Sequence, residues 1–165
     1  MSEKPSWLPE MVPLDGQWQE IRDRLYLIFE YSFKKHRKTL WTLPVWWNQK
    51  ILPDGKGLEE GFWHLVGRED KVVNERLFDP ERAKRLSYSG AVIENADAPE
   101  VRAWHYRVSG KQLRAFLWLV DWDYVLILER RNIGERIVYF LITAYHVDGD
   151  STRHGLERKY EQREP

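Results

Sequence analysis

The chain contains no cysteine, and this absence excludes several kinds of site. Disulfides, thiolate metal ligands and cysteine nucleophiles all require a thiol. The five histidines are scattered, without the spacing that zinc ligands use. Glycine-rich phosphate loops and dinucleotide-binding fingerprints are lacking too. We therefore expect neither a metal nor a cofactor.

The chain also lacks an excess of one charge and any long apolar run. Lys+Arg and Asp+Glu both number 26, so the formal net charge is zero. Proteins that hold duplex nucleic acid over their whole surface are usually basic, but zero net charge still allows a small basic cleft for one or two phosphates. No segment has the roughly 18 apolar residues of a membrane span, and no apolar signal stretch opens the chain. We expect a cytoplasmic protein without a membrane partner.

Tryptophan, in contrast, is abundant. The 165 residues include 9 Trp, and aromatic residues make up 14% of the chain. This length suits one domain with a substantial core. Indoles are large and their N–H needs a partner, so many of them indicate broad packed sheet faces or a surface that stacks on ligands.

Breaker residues and composition divide the chain into three parts. Residues 1–15 are rich in proline and predict an irregular N-terminal arm. Residues 16–148 show alternating helical and strand patterns, which predict a single α+β domain. Residues 149–165 are polar and mixed in charge, and they predict a C-terminal tail that is frayed or weakly helical.

Two helices are expected. Apolar residues recur at three- and four-residue spacing over residues 18–33, which predicts a helix that begins at Asp15 or Gly16. Asp79-Pro80 has the pattern of an N-cap followed by proline at the first helical position. The helix that it starts could be interrupted at Ser89-Gly90.

Strands dominate the last third of the chain. Short turns join its apolar runs, which indicates antiparallel pairing. The predicted fold is α+β, with the N-terminal helix and a further helix packed on an antiparallel sheet of about four to six strands. The runs with strand character are 40–47, 62–66, 101–108, 113–119, 122–129 and 137–147.

The most informative segment is Gly61-Phe62-Trp63-His64-Leu65-Val66-Gly67-Arg68. An imidazole transfers protons near neutral pH, and a guanidinium holds a phosphate through paired hydrogen bonds. If the strand is regular, His64 and Arg68 share one face. The plainer alternative is a half-buried histidine that bonds a neighbour and an arginine paired with Glu69 or Asp70.

Thr143 and Tyr145 should share a face of the last strand, opposite His146. Their hydroxyls could orient a phosphate, and the phenol could stack on a base. The alternative is a Thr and a Tyr that pack in the sheet and bond backbone groups.

Three further residues are candidates for substrate binding. His105 and Arg107 share one strand face, and the aromatic Trp104 and Tyr106 on the other face favour that face as the core. Arg130 lies in the run Glu129-Arg130-Arg131 at a predicted strand end, where charged side chains are usually only solvated.

Taken in order, these segments resemble the phage-associated nuclease family grouped with barnase, EndoU, colicin and RelE-type RNases. The resemblance covers residues 60–148. The chain departs from the family pattern in the insert 122–135 and in Glu69-Asp70-Lys71, where such families often place a second His. That departure leaves the second proton carrier open. The matching pieces are Phe62-Trp63-His64-Leu65, Arg68, Val92-Ile93-Glu94-Asn95-Ala96, Trp104-His105-Tyr106-Arg107, Gly110-Lys111 and Thr143-Ala144-Tyr145.

The resemblance implies a toxin-like, metal-independent endoribonuclease. The ribose 2′-OH would attack the phosphate in line and leave a 2′,3′-cyclic phosphate. His64 would act as general acid or base, Arg68 would hold the phosphate, and Thr143 and Tyr145 would position it. The implied partners are RNA, with tRNA among the candidates, and a neutralising protein.

Zero net charge and the missing second His favour an alternative. The same domain would then bind protein or RNA without cutting it, in a phage or mobile-element system. A structural domain of a larger phage assembly is a third possibility.

Overall fold

A computed structural model describes residues 3–51, 53, 56–70, 72, 75–110 and 112–165. Helices and strands alternate in the first half of the chain, and strands dominate the second. In chain order the elements are α1 (Trp18–Phe29), β1 (Thr39–Leu40), β2 (Leu43–Trp46), α2 (Glu60–Val66), β3 (Gly67–Asp70), β4 (Glu75–Phe78), α3 (Pro80–Lys84), α4 (Leu86–Glu94), β5 (Val101–Val108), β6 (Gln112–Leu119), β7 (Tyr124–Ile133), β8 (Arg136–His146) and α5 (Gly149–Glu161).

The main sheet has six strands in the order β1-β2-β8-β7-β6-β5, and β3 pairs with β4 in a separate two-stranded sheet. The predicted α+β class, with the N-terminal helix packed on the sheet, is confirmed. One pair makes the sheet mixed: β2 runs parallel to β8, with Val45 opposite Tyr139. The β1–β2 hairpin therefore extends the meander of β5 to β8 at the β8 edge.

Both faces of the sheet are covered. On β7, Tyr124 and Leu126 belong to the main core under α1, α2 and α4. Val125 and Ile127 point to the other face, where they form a smaller core with Leu156 of α5. Aromatic residues of β5 pack in this smaller core, so His105 on the opposite face is half-buried near the main core rather than simply open to solvent.

Residues 149–165, predicted as a polar tail that frays or is weakly helical, form the ordered helix α5 over most of their length. Leu156 is only 2% exposed, and the Tyr160 ring centre lies 5.3 Å from that of Trp104. Cationic side chains of the helix also lie over sheet aromatics, as Arg153 does over Trp118. The polar composition of residues 149–165 gives no indication of these contacts.

The run 62–66 was predicted as a strand, and that prediction is wrong because the run lies inside α2. Phe62, Leu65 and Val66 are fully buried, and their spacing is that of a helix face. The predicted shared strand face of His64 and Arg68 is wrong for the same reason. His64 lies in α2, and Arg68 follows in β3.

Glycine at position 61 allows α2 to approach the end of the β1–β2 hairpin closely. A Cβ atom on Gly61 would lie 2.9 Å from the Cβ of Trp47. The Gly61 N–H donates to the Asn48 carbonyl over 2.8 Å, and the Glu60 N–H donates to the Lys50 carbonyl over 2.8 Å. These contacts fix the helix that carries His64.

The helix predicted at Asp79 does begin there. The Asp79 carboxylate accepts from the Glu81 and Arg82 N–H groups at 3.0 and 3.3 Å, with Pro80 at the first position. The interruption occurs at Arg85, between α3 and α4, and not at Ser89-Gly90, which lies inside α4.

Other helix and strand boundaries differ from the predicted ones. The N-terminal helix begins at Trp18, after the predicted start, and continues as a π-helical turn over Glu30–Lys35. β7 begins at Tyr124 and runs to Ile133, so Arg130 lies within a strand and not at its end. A tight turn with Gly134 at φ 62° then leads into β8.

Two features of the family resemblance include residues outside the described ranges. The Gly110-Lys111 piece contains Lys111, and the segment after Arg68 ends at Lys71. In the part of the chain that the structure does describe, no helix is both long and apolar enough to cross a membrane.

Candidate functional site

Arg82 lies at the centre of the predicted site, although it is not among the site residues predicted from the sequence. Its Nη1 donates to the Gly67 carbonyl at 2.7 Å and to Thr143 Oγ1 at 3.3 Å. The same atom lies 3.5 Å from the His64 carbonyl oxygen. Arg82 therefore joins the end of α2, the start of β3 and the last strand of the sheet.

Asp79 connects this arginine with Arg68. While one carboxylate oxygen caps α3, the other lies 3.5 Å from Arg82 Nε and 3.9 Å from Arg68 Nε. Arg68 has a 53% exposed side chain, whereas that of Arg82 is 18% exposed. Arg68 thus lies at the rim of the site, and Arg82 lies inside it.

Thr143 and Tyr145 share a face of β8, as predicted. They pair with Ile127 and Val125, which both point into the smaller core. The Arg82 guanidinium carbon lies 5.8 Å from the Tyr145 ring centre, within the range of a cation–π contact. Burial raises the pKa of Tyr145 and the charge of Arg82 opposes the rise, so this phenol is protonated at neutral pH.

His64 faces Glu60, one helical turn earlier in α2. Its Nε2 lies 3.6 Å from Glu60 Oε1, and the other carboxylate oxygen accepts from Asn48 Nδ2 at 3.0 Å. Burial lowers the pKa of His64, and the positive charges of Arg76 and Arg82 lower it further, while Glu60 raises it. The ring is therefore mainly neutral at pH 7, and 27% of the side chain is exposed to solvent.

We call the set Glu60, His64, Arg76, Arg82, Thr143 and Tyr145 the Arg82 cluster. It combines a neutral imidazole, a carboxylate, cations and hydroxyl groups, which together can move a proton beside a bound anion. Glu60 was missed because a strand separates residues four apart by about 13 Å. A helix brings such residues to about 6 Å.

The residues predicted to bind substrate lie elsewhere. His105 Nε2 and the Tyr139 hydroxyl are 2.8 Å apart, and the Trp41 ring centre lies 5.2 Å from that of His105. Burial lowers the pKa of His105 and raises the pKa of Tyr139. The positive charge of Arg130 lowers both pKa values, but by less than burial shifts them. We call Trp41, His105, Arg130 and Tyr139 the Trp41 cluster.

A small residue on the strand next to β5 leaves room for this cluster. β5 and β8 are three strand spacings apart, and one spacing is about 4.8 Å. The His105 and Tyr139 side chains reach toward each other over β6 and β7. The small residue Ala115 lies beside His105 on β6 and is fully buried under the contact.

Arg107 does not join either cluster. Its Nε lies 3.2 Å from Glu164 Oε1, at the edge of β5 where the Glu164 N–H donates to the His105 carbonyl. Of the three predicted substrate-binding residues, the fold thus brings together His105 and Arg130 only.

A β-bulge places the two clusters on opposite faces of β8. The pairing of β7 with β8 shifts between Ile127 and Leu128, so one extra residue of β8 lies between Leu141 and Thr143. Tyr139 therefore points to the main core, whereas Thr143 points to the smaller one. Strict alternation along the strand would have placed both on one face.

Comparison of the chain with protein-family models, curated proteins and solved structures finds no match. Within the described ranges, no three His, Asp or Glu side chains are grouped so that they could hold a metal ion. Function must therefore be inferred from the chemistry of the two clusters.

Proposed function

We propose that the protein is a toxin-like, metal-independent endoribonuclease that cleaves RNA in the cytoplasm at the Arg82 cluster. One observation carries the proposal: the partly exposed imidazole of His64 lies 3.6 Å from the Glu60 carboxylate and in the field of two arginines. Proton transfer at phosphate needs these groups together, because negative charge builds on the phosphate as the proton leaves the ribose.

The reaction uses the cluster, Arg68, a water molecule and the RNA. Neutral His64 accepts the proton of the 2′-OH as the 2′-oxygen bonds to phosphorus. The P–O5′ bond breaks on the opposite side of the phosphorus, a water molecule protonates the departing 5′-oxygen, and the imidazolium returns its proton to the hydroxide that is left. The products are a 2′,3′-cyclic phosphate and a 5′-hydroxyl. Glu60 stabilises the transient imidazolium, and the water takes the place of a second histidine.

The arginines have different roles in the reaction, because they differ in how far they are buried. Arg68 and Arg76 are exposed and can bind the phosphate oxygens directly. Arg82 already bonds Gly67 and Thr143, so it holds Thr143 and Tyr145 in place beside the scissile phosphate. This role makes Arg82 a positioning residue.

The test is cleavage of mixed cellular RNA and of tRNA in EDTA, with circular dichroism to check folding. We expect the wild type to cut and His64→Ala to lose at least ~100-fold in rate. His154→Ala, which removes an exposed histidine of α5, should cut like the wild type. Intact RNA with wild type, or equal cutting by His64→Ala, would contradict the proposal.

A second candidate function is a module that binds protein or RNA without cutting it. It is favoured by the internal bonds of Arg82, which give this arginine a structural role. A neutralising protein or an RNA would then be a stable partner. Under this alternative, His64→Ala should keep the partner bound, and neither form should cut RNA.

A further inference from the structure

The turn that carries Trp41 has an unusual backbone. Trp41 and Thr42 connect β1 to β2, with Leu40 paired to Leu43, and their φ angles are 46° and 75°. Both central residues thus occupy the left-handed region. Turns of this shape normally use Asn-Gly or Asp-Gly, because a Cβ atom is disfavoured there. A Trp-Thr pair therefore holds strain, and strain of this kind concentrates at binding sites.

The strained turn fixes the Trp41 indole over one place in the sheet. The ring centre lies 5.2 Å from that of His105 and 5.9 Å from that of Tyr139. The indole N–H donates to Asp97 Oδ1 at 3.0 Å. The turn and the hydrogen bond to Asp97 thus fix the orientation of the Trp41 side chain. This side chain is only half-buried, so part of the indole is open to a ligand.

Arg130 places a positive charge near His105 and Tyr139. It is exposed, and its guanidinium makes no ion pair or hydrogen bond with any residue that the structure describes. Its neighbours on the sheet differ: Arg114 and Arg131 lie 3.1 and 2.8 Å from the buried carboxylate of Glu129. A free guanidinium can hold a phosphate through two parallel hydrogen bonds.

His105 adds an oriented donor. Burial lowers its pKa, and Arg130 lowers it further while Glu164 raises it, so the ring is mainly neutral at pH 7. If the Tyr139 hydroxyl donates to Nε2 at 2.8 Å, the ring hydrogen lies on Nδ1. That N–H can then donate to an anion, and Tyr139 acts as a positioning residue.

We propose that the Trp41 cluster is a binding site for a phosphorylated nucleoside. The phosphate would bind Arg130 and the His105 ring, and the base would stack on Trp41. The strained turn and the Asp97 hydrogen bond orient the indole, which binding of a bare phosphate would not require. The site is independent of the ribonuclease proposal, since it lies on the other face of β8.

The test is isothermal titration of the full chain with each of the four ribonucleoside monophosphates, with the matching nucleosides and with inorganic phosphate. At least one monophosphate should bind at least 10-fold more tightly than its nucleoside and than phosphate. Binding of none of the four monophosphates would overturn the proposal, and so would equal affinity for a nucleoside and its monophosphate.

Two variants and one control localise the binding. Arg130→Gln should weaken binding of that monophosphate at least 10-fold, whereas Arg136→Gln, an exposed arginine in the same hairpin, should match the wild type. Trp41→Asn retains a residue that tolerates the left-handed backbone and should reduce the affinity to that of phosphate. Wild-type affinity in either Arg130→Gln or Trp41→Asn would overturn the proposal.

Discussion

The two clusters use arginine in opposite ways. Arg82 is largely enclosed, and it bonds the Gly67 carbonyl and Thr143 while Asp79 lies beside it. Arg130 is exposed and has no bonding partner among the residues described. An enclosed, bonded arginine stabilises the fold and positions its neighbours, because its removal leaves polar groups unpaired. An unpaired surface arginine adds little stability and remains available to a ligand.

The largest expected difference between the clusters concerns stability. Arg82→Met should lower the free energy of unfolding by about 3 kcal/mol, because the Gly67 carbonyl, the Thr143 hydroxyl and the Asp79 carboxylate lose a partner. Arg130→Gln should change it by less than about 0.5 kcal/mol. Urea unfolding at neutral pH measures both. Equal losses in the two variants would remove the distinction between the clusters.

A smaller effect of opposite sign is expected in the strained turn of the Trp41 cluster. Thr42→Gly should raise the free energy of unfolding by about 1 kcal/mol, because glycine adopts the φ of 75° without a Cβ clash. Thr39→Gly, in the extended strand β1 of the same hairpin, should lower it by about 0.5–1 kcal/mol. Destabilisation by Thr42→Gly would show that the turn holds no strain.

The smallest expected effect is the pH dependence that His64 contributes. Its pKa is lowered on folding, so the unfolded chain takes up the proton first as the pH falls below the ordinary value near 6.5. Stability from this group is therefore complete above that value and is lost toward the folded pKa. His64→Gln should lose less stability than wild type between about pH 7.5 and pH 5, as measured by urea unfolding. An equal loss in His64→Gln and wild type would contradict this assignment.

The sequence predicted the class of fold better than the pairing of its parts. The N-cap at Asp79 and the strands near the C-terminus follow from local rules, and the structure has them. The parallel contact of β2 with β8 joins distant segments, and no local pattern indicates it. The order of α5 depends on aromatic faces that its own polar sequence does not reveal.

The prediction of the site failed because the run 62–66 was assigned the residue spacing of a strand and not that of a helix. An apolar run as short as 62–66 fits a strand or a helix, and its aromatic content favours a strand. The strand reading linked His64 to Arg68, whereas the helix links it to Glu60. Arg82 could be placed in the first turn of its helix, but its contact with Thr143 depends on tertiary packing.

The most direct test of the central claim compares two oligonucleotides in EDTA. One is ordinary RNA, and the other has the same sequence with every 2′-hydroxyl methylated. Wild type should cut only the first and leave 2′,3′-cyclic phosphate ends, and folded His64→Ala should cut neither. Cutting of the methylated strand, products with 3′-hydroxyl ends, or no cutting of either strand by wild type would contradict a ribonuclease that uses the 2′-OH at His64.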